Sequence, residues 1–115
     1  MYPCPVCGYL TFSGPPGSYD ICEVCGWEDD ALQLEFATSL AGGANSITLL
    51  EAQREFAQAA DRMARKHPRA SVPRDRDPSW RLIDAARDRF PEWNEQASER
   101  APATDESLYY WRETF

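Results

Sequence analysis

The sequence predicts a small α+β fold, with an N-terminal β-hairpin packed on a mainly helical C-terminal part. Three observations carry this expectation. The chain opens with two near-copies of one pentapeptide, CPVCG at 4–8 and CEVCG at 22–26, separated by a turn-rich stretch. A helix-capping pattern at Thr48 introduces a long amphipathic run. The last residues, SLYYWRETF, are dense in aromatic side chains that need a surface to cover.

At 115 residues the chain suits one domain. A domain near this size buries roughly two-thirds of the surface its unfolded chain exposes, so the core is modest and a covalent or metal clip helps. The expected organisation is a first part, 1–43, and a second part, 44–115, that form one compact unit. The opening MYPCPVCGYLTF has no basic n-region and no apolar h-region, and no run of apolar residues is long enough to span a bilayer. A cytoplasmic protein is therefore expected. In a reducing compartment, paired Cys-x-x-Cys units hold metal more often than they form structural disulfides.

All four cysteines belong to the two pentapeptides, in the pattern C-x2-C-x14-C-x2-C. Two residues between cysteines allow a tight turn to aim both sulfurs at one ion. A glycine after each pair, Gly8 and Gly26, lets the backbone curl its amides toward the sulfurs. Two such turns offer four soft thiolates, suited to tetrahedral Zn2+ or to iron. The expected ligands are Cys4, Cys7, Cys22 and Cys25, around one structural zinc, with iron possible. Tyr9–Phe12 reads as a strand, SGPPGS at 13–18 as a turn, and Tyr19–Cys22 as the returning strand, giving a zinc ribbon. Two disulfides, a thioredoxin-like redox pair and a rubredoxin-like iron centre are the alternatives. The redox pair lacks the βαβ pattern it needs.

Beyond the knuckles the sequence resembles the cysteine-rich CPCC family of small bacterial proteins. The resemblance falls on Cys4, Pro5, Cys7, Gly8 and Tyr9, then on Gly14, Gly17, Tyr19 and Ile21. It continues on Cys22, Val24, Cys25, Trp27, Glu28, Asp29 and Asp30, and on Gly43, Ala44, Asn45, Ala52 and Gln53. It implies a metal-binding domain and no particular activity. The third letter of the name-giving CPCC is here Val6, so the resemblance implies that the outer cysteine pair suffices.

The remaining elements follow from local chemistry. Trp27 reads as an aromatic lid over the metal site. Glu28, Asp29 and Asp30 read as solvated charges opening a turn, or as an acidic recognition patch or carboxylates poised for a second ion. Thr48 and Glu51 form a T-x-x-E capping box, and apolar residues at helical spacing continue through about Lys66. Pro68 stops that helix, with His67 just before it. A weaker helix is expected over Ser79–Arg89, carrying Trp80, Ile83 and Arg87 on one side, and a polar linker over 95–104. The aromatic segment with Tyr109, Tyr110, Trp111 and Phe115 is expected to dock on the body.

Charge bears on function. The net charge is −7, yet residues 1–53 contain seven carboxylates and no Lys or Arg. Four thiolates on one Zn2+ carry a net −2, taking the chain to about −9. Between 62 and 76 six basic residues, Arg62, Arg65, Lys66, Arg69, Arg74 and Arg76, face Asp75 alone. The expected function is a structural-zinc module that binds a protein partner with a basic surface, of an antidote, immunity or regulatory type. The alternatives are a nucleic-acid-binding zinc ribbon acting through the 62–76 segment and a rubredoxin-like electron carrier. The acidic ribbon repels phosphate, and the basic run has no interleaved aromatics for stacking on bases, so nucleic acid is the weaker partner. No enzyme is expected, because the sequence has no nucleophile motif, a single histidine and no open metal position.

Overall fold

The turns at the cysteines organise the front half of the molecule. A computed structural model describes residues 1–66, 75–99 and 103–112. Strand β1, Tyr2–Pro3, runs antiparallel to β2, Leu10–Phe12, with Tyr2 opposite Phe12 and Pro3 opposite Leu10. This hairpin brackets the first pentapeptide. The return strand expected at 19–22 does not form. Tyr19 lies at φ 60, in the left-handed region that a strand cannot cross, and Ile21 pairs instead with Glu28. Each CxxCG turn therefore closes a hairpin of its own. Asp20 ties the connecting loop, its carboxylate accepting from the Ser13 amide at 2.8 Å and the Ser13 hydroxyl at 2.5 Å.

Two of the three consecutive acids after Trp27 are structural. Asp29 accepts from the Ser18 amide and hydroxyl at 3.1 and 2.6 Å. Burial raises its pKa against the lowering effect of those bonds. Asp30 caps helix α1, Ala31–Glu35, accepting from the Leu32 and Gln33 amides, while its second oxygen takes the Ala44 amide. Both carboxylates are buried. The solvated-charge and recognition-patch readings both fail for Asp29 and Asp30, because each is buried and committed to backbone amides of its own chain.

Helix α2 spans Leu49–Lys66. Its start is the expected reciprocal box, with Thr48 N–H donating to Glu51 Oε1 at 3.2 Å and Glu51 N–H to Thr48 Oγ1 at 3.1 Å. The α+β class stands, with the hairpin in front and this long helix behind it. His67 lies outside the described residues, and of the basic run only Arg76 has a described side chain.

No helix forms over Ser79–Arg89. Side chains there capture backbone groups that a helix would use. Asp77 accepts from the Ser79 amide and hydroxyl, Asp88 accepts from the Asp84 amide, and the Ile83 amide donates to Gln53 Oε1. Arg81 adds a two-pronged pair with Asp88 at 2.7 and 2.8 Å. The start of the expected linker is helical, since Asn94 caps a short helix α3, Glu95–Ser98. A single 3-10 turn, Glu106–Leu108, precedes the aromatic segment.

That segment docks as expected. Tyr109 and Trp111 are buried and stack at 4.7 Å, and the Trp111 indole donates to Asp77 at 3.1 Å. Burial works to raise Asp77, but bonds from Ser79, Trp111 and Arg112 hold it down to about 2. Phe115 lies outside the described residues. The core joins Phe12, Trp27, Leu34, Leu49, Tyr109 and Trp111 to three of the cysteines, so contacts cross the 43/44 boundary throughout.

Two buried glutamines sit at the junctions. Gln33 donates to the carbonyls of Leu40, Asn45 and Ile47 and accepts twice from Asn45, shaping the GGAN loop. Gln53, on α2, donates to the Pro5 carbonyl and the Tyr110 hydroxyl, both at 2.8 Å, and accepts from Ile83. A single amide thus ties the first knuckle, the 81–83 segment and the C-terminal aromatics to one helix.

Candidate metal centre

The two pentapeptides close with the same backbone hydrogen bonds. Cys4 N–H donates to the Tyr9 carbonyl and Gly8 N–H to the Cys4 carbonyl. In the second copy, Cys22 N–H donates to Trp27 and Gly26 N–H to Cys22. Gly8 and Gly26 take φ 79 and 86, which closes each turn in a conformation only glycine enters freely. The pairing of Pro3 with Leu10 has its counterpart in Ile21 with Glu28. Repetition in sequence has become repetition in geometry.

Packed face to face, the two knuckles bring all four expected ligands together. The sulfurs of Cys4, Cys7, Cys22 and Cys25 lie within 4.8 Å of one another. The hydrogen-bonded pairs cross between knuckles, Cys4 Sγ to Cys25 Sγ at 3.5 Å and Cys7 Sγ to Cys22 Sγ at 3.7 Å. Sulfurs around an ion at metal–sulfur distances of about 2.3 Å stand about 3.8 Å apart in a tetrahedron. The observed cluster fits that size, and the cysteines are free rather than disulfide-bonded. Cys4, Cys7 and Cys22 are buried and Cys25 is partly exposed. Thr11, on β2, donates its hydroxyl to Cys22 Sγ at 3.2 Å, a contact the sequence did not reveal.

Charge distribution in the cluster points the same way. Burial pushes the Cys4 thiol well above its ordinary value, whereas bonds from Cys25, Cys4 and Cys7 pull Cys22 far down. Cys25 is raised, chiefly through its bond with Cys22. Four thiolates in this volume repel one another unless a cation lies between them. The donor set is close enough to hold a metal ion, and its chemistry suits a soft one.

Trp27 is buried behind the second knuckle, as the lid reading expected, but its indole Nε1 is a buried polar atom without a hydrogen-bond partner among the described residues. The family model for cysteine-rich CPCC proteins matches residues 2–75. The chain belongs to the cysteine-rich CPCC family. No curated protein matches it. The matched range takes in both knuckles, Gln33, Asn45 and Gln53. In this CPCC chain Val6 is part of the core, filling with a methyl pair the place where the family name has a third cysteine.

Residues just beyond the matched range complete the first knuckle. Arg76 donates Nε–H to the Cys7 carbonyl at 2.9 Å, and its guanidinium lies 4.3 Å from the Tyr9 ring centre and 5.1 Å from that of Trp80. The Trp80 indole donates to the Pro5 carbonyl at 3.0 Å and covers Gly8. A tertiary role for Trp80 was hidden by its apparent helical spacing with Ile83. The Arg-x-x-x-Trp pair itself was the available signal.

The two knuckle glycines differ in their surroundings, and this yields a prediction. A methyl group on Gly8 would lie 2.5 Å from the Trp80 ring, whereas one on Gly26 would meet none of the described residues within 4 Å. Both substitutions carry the left-handed cost of about 1–2 kcal/mol. Gly26→Ala is expected to lose about that amount. Gly8→Ala adds overpacking of about 1–3 kcal/mol and is expected to unfold at clearly lower urea in the metal-loaded protein. Equal losses in the two variants would show that Trp80 does not seat on Gly8 in solution.

Proposed function

We infer that Cys4, Cys7, Cys22 and Cys25 hold one Zn2+ in a closed structural site of the zinc-ribbon kind, in a module that binds another protein and performs no catalysis. The observation that carries this reading is the meeting of two equivalent knuckles with four sulfurs at tetrahedral spacing. With four protein ligands there is no open position for a substrate or a reactive water, which favours a structural over a catalytic ion. Zinc bound there supplies a cross-link between two short hairpins. The chain's own residues do the rest: Thr11 donates to the Cys22 sulfur, the amide-to-carbonyl bonds of each knuckle fix its turn, and Val6, Phe12 and Trp27 pack with the cysteines.

Partner chemistry follows from charge. The front half has carboxylates and no Lys or Arg, which steers it toward a basic protein surface, as in an antidote or a regulatory binder. Asp20, Glu23, Glu28, Glu35 and Glu51 remain outside the core after Asp29 and Asp30 are subtracted. The nucleic-acid alternative loses Arg76, which is engaged on Cys7, Tyr9 and Trp80. Iron in the same cage is the second reading, favoured by the partial exposure of Cys25, an edge across which an electron could pass. Elemental analysis distinguishes them. The expected preparation is colourless and carries one zinc per chain, and a coloured, iron-loaded protein from ordinary growth would overturn the structural-zinc reading.

A further inference from the structure

The equivalence of the knuckles makes their unequal covering informative. At the first, Pro3, Pro5, Val6, Cys7 and Gly8 are all buried. The matching residues of the second are Ile21, Glu23, Val24, Cys25 and Gly26, and every one is exposed or half-exposed. Ile21, an aliphatic side chain, is 66% exposed, and Tyr19 beside it is 61% exposed. The first knuckle owes its covering to the chain itself, through the Trp80 ring over Gly8 and the Arg76 guanidinium on Cys7 and Tyr9. Among the described residues nothing comparable stands over Gly26, and none comes within 4 Å of a Cβ built there.

Beside Gly26 the surface is concave. Cys25, Gly26, Trp27, Ile47, Glu55 and Phe56 are among the residues that line a groove of about 340 Å3. Ligand-sized clefts run from roughly 300 to 1,000 Å3. The groove is apolar at Trp27, Ile47 and Phe56 and has a carboxylate at Glu55. Asn45 already occupies the backbone edge at Glu28, accepting at 2.9 Å and donating at 2.8 Å, so an added strand is excluded there. Side chains must make the contact.

We propose that the second knuckle is a docking site for a partner-protein segment that presents an aromatic ring over Gly26 and an arginine toward Trp27 and Glu55, as Trp80 and Arg76 cover the first knuckle. The occupant is specified by the molecule's own example: the same turn, elsewhere in the chain, is capped by an aromatic residue and an arginine four positions before it. Charge supports the choice. A guanidinium is attracted by Glu55 and by the carboxylates of a front half that has no Lys or Arg. An aromatic anchor with an arginine is also the composition that dominates binding energy at protein interfaces. The proposal deepens the binding-module reading and rests on it.

The test uses the full chain, isotope-labelled and confirmed as metal-loaded by elemental analysis, titrated with the synthetic peptide Arg-Asp-Pro-Ser-Trp. The expected result is saturable movement of the amide signals of Ile21–Glu28 and of α2 near Glu55. Replacing either Arg or Trp of the peptide by Ala should weaken binding at least tenfold, and Glu55→Lys or Ile21→Asp in the protein at least fivefold. Shifts confined to Gly8 and its neighbours, meaning displacement of the internal cap, would overturn the proposal. So would the absence of saturable shifts, or Gly26 shifts that follow protein concentration alone and so report a second copy of the chain. Saturable binding elsewhere on the metal-loaded protein would overturn this site and leave the binding-module reading intact. A metal-free preparation that still folds would remove the reading beneath it.

Discussion

Stripping the metal, or replacing one ligand as in Cys22→Ser, will unfold the front of the molecule and leave part of α2 helical. The regular structure near the cysteines is slight, with strands of 2 and 3 residues and a helix of 5. Two-stranded hairpins of this length have no independent stability in water. Three of the four sulfurs belong to the core itself, packed with Val6, Phe12 and Trp27. Removing the ion leaves four thiols that must carry protons or repel, in a space too dry to solvate them. Structural zinc contributes about 10–16 kcal/mol of apparent folding energy in small peptides at neutral pH, more than the roughly 5–15 kcal/mol by which whole domains are stable. Chelation should therefore red-shift tryptophan emission as Trp27 and Trp80 meet water, while far-UV circular dichroism keeps a helical component. Added zinc should restore both. A chelated protein, verified metal-free, with an unchanged unfolding midpoint would refute the central role of the ion.

Gln53→Ala is the point substitution away from the cysteines expected to cost most, about 3–4 kcal/mol in urea unfolding. Gln53 is 1% exposed, and its amide bonds reach Pro5, Ile83 and Tyr110, which are 48, 30 and 57 positions away in the chain. Truncation strands the Ile83 amide and removes a donor from Tyr110, each loss worth about 1–3 kcal/mol when the group stays buried, and leaves a cavity besides. The Pro5 carbonyl keeps the Trp80 indole, so the first knuckle is weakened without being released. Gln53→Glu separates the contributions. It preserves shape but turns carboxylate oxygen toward the Pro5 carbonyl, and should destabilise strongly at neutral pH with recovery as the pH falls and the group protonates. A loss below about 1 kcal/mol in Gln53→Ala would show that water replaces the amide and that the junction is looser than its bonds imply.

These two sites illustrate different degrees of legibility. The cysteine cage was readable because a knuckle is a local object. Its turn, its glycine and its ligand spacing all lie within five residues, and duplication in sequence announces a closed set of four. The capping box at Thr48 and the extent of α2 were readable for the same reason. The direction of the hairpin was misread, because alternation at 9–12 and 19–22 says that strands are possible without saying which partner each one finds. Left-handed backbone at Tyr19 and the internal closure of each knuckle decided that. Over 79–89 the apolar spacing suggested a helix, yet Asp77, Asp88 and Gln53 offered the backbone better partners.

By itself, then, the sequence determined the four-cysteine cluster, the two turns that carry it, the long capped helix and the acidic character of the front half. Each of these rests on residues within a few positions of one another. Only the tertiary structure decided that Asp29 and Asp30 face inward, that Gln53 joins three distant segments, and that Trp80 and Arg76 close one knuckle while no described residue covers Gly26 of its twin. Those outcomes depend on which surfaces meet across tens of residues, where burial and hydrogen-bond satisfaction outweigh the weak preferences of any local stretch.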